Sequence, residues 1–461
     1  MNVYSLFLFN MLQKVVSSCI IGILGILDMI KTCIISLITF LALTVSILLF
    51  PSLKIGGKKT GTYWIVAVLG ALALLAFGCV PPAEVAGSLI SNTAINPLKI
   101  LVLFFSMTFI SVLLDEVGFF RYLANRAVKV AGNNQFLLFI TLYFTVAALT
   151  VFTSNDIMIL TLTPFICFFC KNAKIDPLPF LVSEFAAANT WSMMFIIGNP
   201  TNIYLATFAG IGFAEYFKTM LLPTLAAGVL EFLLIILIFY KRLKKPLKPS
   251  GDGFKIKEKA ELIAGIIHLV LCLLALVISD HIGAQMWIIT AVCAVSLLIS
   301  VTVIKMIKRE GIRCLSRSLI RLPWQLIPFI ISMFTVVIAL NYRGVSAQLG
   351  EYLGNTHCVL KYGVSSFIMS NIINNIPMSI LFSALPNSLT GRLYYEAIYS
   401  SVIGSNIGAF LTPIGALAGI MFTGLTERHG VKYGFKEFIG YGALISVPTI
   451  AAALFTLSLV I

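Results

Sequence analysis

The sequence predicts an all-α polytopic membrane protein that contains two inverted-topology repeats. Of its 461 residues, 59% are hydrophobic and 11% are charged, and the mean hydropathy is +1.02, whereas soluble domains carry roughly 25% charged residues. Apolar runs of about 20 residues recur along the chain, which is enough to cross a hydrocarbon core of about 30 Å. Polar motifs interrupt these runs at matching places in the two halves. We therefore expect about 11 transmembrane helices, two re-entrant hairpins and two broken helices.

The net charge of +14 does not point to a nucleic-acid partner, because Lys and Arg crowd into the cytoplasmic loops of membrane proteins. We expect a multi-pass protein of the plasma membrane with its N-terminus in the cytoplasm. The nine cysteines are scattered and predict no disulfide framework.

Residues 1–97 are predicted to form N-terminal spans outside the repeats, near 14–31, 33–53 and 62–80, followed by an outside loop at 81–97. The short loop between the second and third spans is rich in Lys, which places it in the cytoplasm.

Residues 98–240 are predicted to form repeat 1. A span at 98–118 leads to an amphipathic surface helix at 119–130. Residues 135–170 would exceed ~50 Å as one helix, so we expect a re-entrant hairpin whose tip is the polar stretch 153–156. A helix over 180–209 is broken at 198–202, where Gly and Pro disfavour helix, and a span follows at 217–240.

Residues 241–322 are predicted to connect the repeats through a helical pair at 260–280 and 287–304, flanked by basic cytoplasmic linkers. Repeat 2 then occupies 323–461. We predict for it a span at 323–341, a surface stretch at 342–358 and a hairpin around 374–377. A broken helix over 394–424, with its break at 411–415, and a final span at 434–460 follow.

Matching residues occur in the same order in the two halves. They pair Ser106 with Ser332, Asn155 with Asn374, and Pro200 with Pro413. Inverted repeats with discontinuous helices at the midplane are typical of secondary transporters. A broken helix offers free N–H groups and a positive dipole end to polar or anionic solutes, and its freed carbonyls can hold cations.

The motifs at these breaks resemble those of the ion-transporter superfamily, in particular the arsenical-pump membrane proteins of the ArsB type and their citrate-transporter-like relatives. The segments that carry the resemblance are Ser154-Asn155-Asp156-Ile157, Leu162-Thr163-Pro164, Gly198-Asn199-Pro200-Thr201-Asn202-Ile203, Asn374-Asn375-Ile376-Pro377-Met378, Gly404-Ser405-Asn406-Ile407-Gly408 and Leu411-Thr412-Pro413-Ile414-Gly415. The resemblance implies a scaffold part and a moving transport part, a homodimer, and, for arsenical pumps, a partner ATPase in some members.

The candidate substrate- or ion-binding residues lie at the tips and breaks. They are Ser154, Asn155, Asp156, Asn199, Thr201, Asn202, Asn374, Asn375, Ser405, Asn406 and Thr412. Each amide or hydroxyl could instead cap local backbone, and Asp156 could cap its own helix. As an acid within an apolar run, Asp156 is also a candidate for the coupling proton or sodium ion, with Glu184 and Glu231 as lesser relay candidates.

The chain lacks the G-x-x-x-x-G-K-[ST] phosphate loop and any His or Cys spacing suited to a metal. We therefore expect no cofactor, no metal site and no enzymatic activity. The predicted function is export of arsenite or antimonite driven by the proton gradient. Uptake of a di- or tricarboxylate is the alternative, although the Ser-Asn-Thr tips typical of sodium–dicarboxylate members are absent; cation/proton antiport centred on Asp156 is a third. No Lys or Arg lies near either tip in the sequence, which favours a neutral solute.

Overall fold

Helices account for nearly all of the regular structure in the computed structural model, which describes residues 3–50, 52–55, 58–91, 96–244, 256–279 and 281–461. These residues form twenty α-helices and one antiparallel hairpin, in which strand β1 (Ser52–Ile55) pairs with β2 (Lys58–Gly61). Most of the basic linker predicted within 241–259 and part of the loop predicted at 81–97 lie outside the described residues.

The helices are α1 Val3–Leu49, α2 Tyr63–Ala76, α3 Pro82–Ile90, α4 Pro97–Glu116, α5 Phe119–Ala131, α6 Gln135–Phe152, α7 Asn155–Ala173, α8 Leu178–Trp191, α9 Pro200–Phe208, α10 Phe213–Leu243, α11 Lys259–Val277, α12 Met286–Ile307, α13 Arg313–Ile320, α14 Leu326–Tyr342, α15 Val345–Leu353, α16 Cys358–Ile373, α17 Asn375–Ala384, α18 Arg392–Gly408, α19 Leu417–Arg428 and α20 Phe435–Val460.

Eight of the described helices are long and apolar enough to cross a membrane, and the pair α14–α15, bent by 79°, would make nine. The protein is therefore a multi-pass membrane protein. The number is below the eleven crossings predicted, because two predicted spans merge in α1 and other predicted spans contain short helices. Helices α2 and α8 have 14 residues each and α18 has 17. Two of the eight, α6 and α7, are the arms of the first predicted hairpin.

The N-terminal prediction of two separate spans at 14–31 and 33–53 is wrong, because α1 is one helix of 47 residues. No Gly or Pro occurs between Ile26 and Leu49 to end a helix. The charges that suggested a boundary are compatible with a continuous helix, since Lys31 and Asp28 form an ion pair of 2.7 Å one turn apart. The predicted cytoplasmic loop that follows contains the β1–β2 hairpin.

The order of elements from α4 to α10 recurs from α14 to α20. In each series a helix is followed by a short surface helix, a helix–break–helix segment, a second broken helix and a final long helix. The short helices α5 and α15 both begin after a left-handed glycine, Gly118 (φ 83°) or Gly344 (φ 75°). Because residues with a Cβ rarely adopt this conformation, the same turn chemistry bounds the same element twice.

Each helix–break–helix segment begins and ends at the same face of the helical assembly, and the two segments use opposite faces. Residues 133–136 at the start of α6 line a cavity with Tyr240 and Lys244 at the end of α10. Asp176, just after α7, forms an ion pair of 2.9 Å with Arg242 at that same end. Both ends of the α6–α7 segment therefore lie beside the C-terminal end of α10.

The α16–α17 segment has its ends at the other face. Residues 357–360 at the start of α16 line a cavity with Leu454 and Phe455 at the end of α20. The end of α17 approaches α15, where Gly350 lies directly against the carbonyl of Leu385. Because the start of α20 meets the end of α10, with Tyr441 and Phe239 rings 5.0 Å apart, the end of α20 marks the opposite face.

Candidate functional site

The break between α6 and α7 places polar side chains inside the protein. Thr153 ends α6 in an extended conformation, and its hydroxyl donates to the carbonyl of Leu149 at 2.7 Å. Ser154 then precedes α7 as its N-cap residue. Asn155 donates from Nδ2 to Oδ1 of Asn189 at 3.1 Å, while its own Oδ1 has no partner within the described structure. This amide oxygen is therefore a buried acceptor without a partner, which is uncommon in folded proteins.

A cavity of about 300 Å³ opens beside this first tip. Ser154 and Asp156 line it from the tip, so the structure brings two of the predicted site residues to one space. Most of the remaining lining is apolar. The other polar or ring-bearing residues that line it are Tyr63, Phe104, Thr108, Arg321 and Gln325. Residues of α19 (Leu417, Ile420 and Met421) close one side.

Arg321 is the residue of this cavity that the sequence analysis missed. No Lys or Arg lies near either tip in the sequence, but Arg321, distant in sequence, lines the same cavity as Asp156. The guanidinium forms ion pairs with Asp115 and with Glu116, the latter at 3.0 Å. Burial lowers the pKa of Arg321, but the charge of Asp115 and hydrogen bonds to Asp115 and Glu116 more than offset this and raise it. The cavity thus has a cation whose charge is already compensated.

A second group of predicted residues forms a hydrogen-bonded network between the two halves of the chain. The residues of this central network, all buried, are Ser192, Asn199, Thr201, Asn202, Ser405 and Asn406. Asn406 donates from Nδ2 to Oδ1 of Asn202 at 2.6 Å, and its own Oδ1 accepts from Ser192 and Asn199 at 3.0 and 2.9 Å. Ser405 donates to the Thr201 hydroxyl at 3.0 Å.

The broken helices position this network. Helix α8 ends at Trp191, and two short 3₁₀ turns fill the break before α9 begins at Pro200. Asn199 caps α9 by accepting from the backbone N–H of Thr201 at 3.2 Å. Asn202 donates to the carbonyls of Ser192 and Phe195 in the break. The amides therefore satisfy backbone that the break exposes, as the local alternative allowed, and join the halves as well.

A chain of contacts connects the first tip to the central network. Asn155 binds Asn189 on α8, and Ser192 donates to the carbonyl of Asn189 at 2.7 Å as well as lying 3.0 Å from Asn406. Sequence reasoning missed Ser192, because the break was predicted at 198–202, whereas α8 ends earlier, at Trp191.

The second tip bonds to a different partner, the break between α18 and α19. Asn374, at φ 73°, donates from Nδ2 to the carbonyl of Ile414 at 3.0 Å. The backbone N–H of Asn375 donates to the carbonyl of Gly415, also at 3.0 Å. Asn375, not Asn374, is the first residue of its helix, so it is Asn375 that occupies the position of Asn155.

Thr412 also contacts the second hairpin. Its hydroxyl donates to Oδ1 of Asn371 at 2.7 Å, and Asn371 donates to the carbonyl of Gly408 at 3.0 Å. None of Asn374, Asn375 and Thr412 lines the cavity beside Asp156 within the described residues. The predicted site residues therefore form three groups and not one.

Buried hydrogen-bonding groups at the breaks of membrane helices, with a small cavity beside the first tip, are typical of membrane transporters. A family model described as "Citrate transporter" matches residues 61–392. The chain therefore belongs to this citrate transporter (CitMHS) family and is not an enzyme.

Curated relatives and a solved structure are similar to this chain over most of its length. The chain is 28% identical to the "Arsenical pump membrane protein" of Escherichia coli K12 over 419 residues, which cover 87% of this chain and 94% of that protein. It is 25% identical to a protein of Mycobacterium tuberculosis named as an uncharacterized transporter, over 84% of this chain and 91% of that protein. Its fold is similar to that of the Alcanivorax borkumensis YdaH transporter, with a TM-score of 0.58 at 13% identity over 94% of this chain and 97% of that one.

Proposed function

We propose that this protein exports arsenite or antimonite across the plasma membrane, driven by the proton gradient. The observation that carries the proposal is the similarity to arsenical pump membrane proteins of several bacteria. For the Escherichia coli protein it extends over 87% of this chain and 94% of that protein. An alignment of this length includes parts of both halves of the chain.

The chemistry of the cavity supports a small, weakly charged solute. A volume of about 300 Å³ accommodates a small molecule but is at the lower limit of ligand pockets. Arg321 is engaged by Asp115 and Glu116, so little uncompensated positive charge remains for a multiply charged anion. In our proposal Ser154 and Asp156 contact the solute directly. The other nine candidate residues hold the two tips and the breaks around it.

The architecture supports alternating access. We propose repeat 1 at 98–240 and repeat 2 at 323–461 as inverted-topology repeats, with 1–97 outside them and 241–322 connecting them. In this proposal the α6–α7 and α16–α17 segments are the two re-entrant hairpins. The ends of α6–α7 lie at one face and those of α16–α17 at the opposite face. Two inverted halves can then expose one site to either side in turn. We propose a homodimer as the functional unit.

A di- or tricarboxylate is the second candidate substrate. The description of the matching family model, "Citrate transporter", favours it, and Arg321 in the cavity provides one cation that could bind a carboxylate. A tricarboxylate would need Arg321 to exchange its two acidic partners for the substrate. The two candidates therefore predict different substrates for the same cavity.

The test is arsenite accumulation in everted vesicles under an imposed proton gradient. We expect gradient-dependent uptake by the wild type and at least tenfold less by Asp156→Asn, because the substitution removes the carboxyl that lines the cavity. Glu351→Gln, which neutralises an exposed acid on α15, is the matched control and should retain uptake. No arsenite uptake by folded wild-type protein, together with uptake of labelled citrate, would replace the first proposal by the second.

A further inference from the structure

Glu231 lies near the middle of α10 and is completely buried. No Lys or Arg of the described chain is within ion-pair distance of its carboxyl group. Elsewhere in the protein a buried acid does have cations: Glu261, equally buried, is 3.1 Å from Lys305 and 2.8 Å from Lys308. Because an ionised carboxylate without a cation is costly in such surroundings, Glu231 is a candidate site for binding a proton.

The groups around Glu231 come from α6 and α8. Thr190 donates its hydroxyl proton to Oε2, and the hydroxyl of Tyr143 lies 3.1 Å from Oε1. Tyr143 is the titratable side chain that contacts this carboxyl in the described structure. Helix α20 also packs on α10, but its charged residues, Lys436 and Glu437, stand in its first turn.

The hydroxyl of Tyr143 has more acceptors in reach than it has protons. Its oxygen is 2.8 Å from the carbonyl of Gly228 and 3.1 Å from Oε1 of Glu231, and it accepts from Nε1 of Trp191 at 3.1 Å. A phenol donates one hydrogen bond only. When Glu231 is protonated, it can donate to Tyr143 while Tyr143 donates to Gly228. When Glu231 is ionised, Tyr143 must donate to it and release Gly228.

The arrangement therefore couples the proton on Glu231 to the end of α8. Thr190 and Trp191 are the last two residues of that helix, directly before the break. The indole of Trp191 packs on Gly228 so closely that a Cβ there would overlap the ring. Asn189, which binds the first tip, and Ser192, which binds Asn406, flank this pair.

We propose that Glu231 binds the coupling proton and that Tyr143, Thr190 and Trp191 transmit its protonation state to the broken helix α8. The coupling role rests on the proposed proton-driven transport. The carboxylate takes a proton from water at one face, forms an O–H bond, and returns the proton to water at the other face. In this proposal Asp156 contacts the solute, and Glu231 binds the coupling proton.

An optical titration tests the binding site without any substrate. In protein that keeps Trp191 as its one tryptophan, with Trp64, Trp287 and Trp324 changed to Phe, we expect Trp191 fluorescence to change with pH. Glu231→Gln should abolish this change and should remove the infrared carbonyl band of one protonated carboxyl group. Glu184→Gln is the matched control, because Glu184 is equally buried but bonds to Thr163 instead, and it should keep the fluorescence change.

A transport assay tests the coupling. Glu231→Gln should lose at least tenfold in gradient-driven arsenite accumulation but retain exchange of internal for external arsenite, which needs no net proton movement. Tyr143→Phe, which keeps the ring and removes the hydroxyl, should likewise lose gradient-driven accumulation and retain exchange. It replaces Glu231→Gln in the test if that variant does not fold.

The two assays separate the inference from the function on which it rests. An unchanged Trp191 titration in Glu231→Gln, or wild-type accumulation by this variant, would overturn the role of Glu231. If wild-type protein neither accumulates nor exchanges arsenite, the proposed substrate is wrong. The optical and infrared titrations still decide whether Glu231 binds a proton.

Discussion

Single amide side chains link the two halves of the chain through buried hydrogen bonds. Asn406 accepts two hydrogen bonds and donates to Asn202, all without exposure to solvent or lipid. A buried polar group that loses its partner costs ~1–3 kcal/mol. The central network is therefore stable only as a complete set, and one substitution affects groups from both halves.

We predict that Asn406→Ala lowers the thermal stability of the protein and abolishes transport. Truncation leaves Ser192, Asn199 and Asn202 each short of one partner, at ~1–3 kcal/mol per group. Thermal unfolding of the detergent-purified protein, followed by size exclusion, measures the effect. Asn387→Ala, which shortens an exposed amide, should unfold like the wild type. Equal midpoints for the two variants would contradict a structural role for Asn406.

At the residue level the sequence identified most of the polar groups but not their grouping. The motifs at the breaks named Asn199, Asn202 and Asn406 correctly as buried polar residues near helix ends. They could not reveal that Arg321 reaches the cavity, because its contact with the cavity depends on the packing of α13 and α14 against α4. Long-range packing of this kind leaves no local pattern.

At the level of elements, α16 and α18 show how tightly the transporter is packed. They run parallel, since Gly404 lies against Ser366 and Gly408 against Ser370, at the same spacing along both helices. Small residues four apart allow helix backbones in membranes to approach closely. The second hairpin is thereby held along α18, and the Gly-x-x-x-Gly spacing in the sequence was a signal for it.

We predict that Gly404→Ala destabilises the protein by ~1–3 kcal/mol, the usual cost of overpacking. The added Cβ would overlap the hydroxyl of Ser366 and the backbone carbonyl of Gly363, and a backbone group cannot rotate away. Gly440→Ala on α20 is the matched control, because a Cβ there meets nothing within 4 Å. It should be neutral or stabilising, since Ala favours helix. Thermal unfolding of both variants measures the change in stability. An equal loss of stability in the two variants would rule out close packing of Gly404 as the cause.

Element boundaries were predictable where capping chemistry is local. Asn96 and Pro97 begin α4 as an N-cap and first-turn proline should. The spans over 14–53 were not predictable from charge, because the ion pair of Lys31 with Asp28 lets α1 continue through a polar turn. Asp28 also forms an ion pair of 3.1 Å with Arg343, just after α14, so a charged residue does not by itself mark the end of a helix.

At the level of the whole molecule, the two helix–break–helix segments start from opposite faces. The predicted repeat matched Pro200 with Pro413, but the structure places Pro200 after its break and Pro413 within the other. The order of elements is thus repeated more faithfully than individual residues. Sequence could establish the order, whereas the faces required contacts between α10, α20 and the segment ends.

We predict that cysteines introduced at Asn172 and Asn387 are labelled from opposite sides of the membrane. Both positions are exposed, at the end of α7 and after α17. In a background with the native cysteines removed, a membrane-impermeant thiol reagent should label one position in intact cells and the other in everted vesicles. Both should react after permeabilisation. Labelling of the two from the same side would exclude inverted repeats.

The two tips differ in the kind of bond that holds them, and this has a mechanical consequence. The second tip is attached by hydrogen bonds to main-chain carbonyls of Ile414 and Gly415, whereas the first is attached to α8 through the side chains of Asn155 and Asn189. We therefore expect the first tip to move away from its contacts more easily than the second. A compound that bound in the cavity beside Asp156 would prevent the first tip from moving and so inhibit transport. Variants resistant to such an inhibitor should arise in α2, α4 and α19, whose side chains line the cavity.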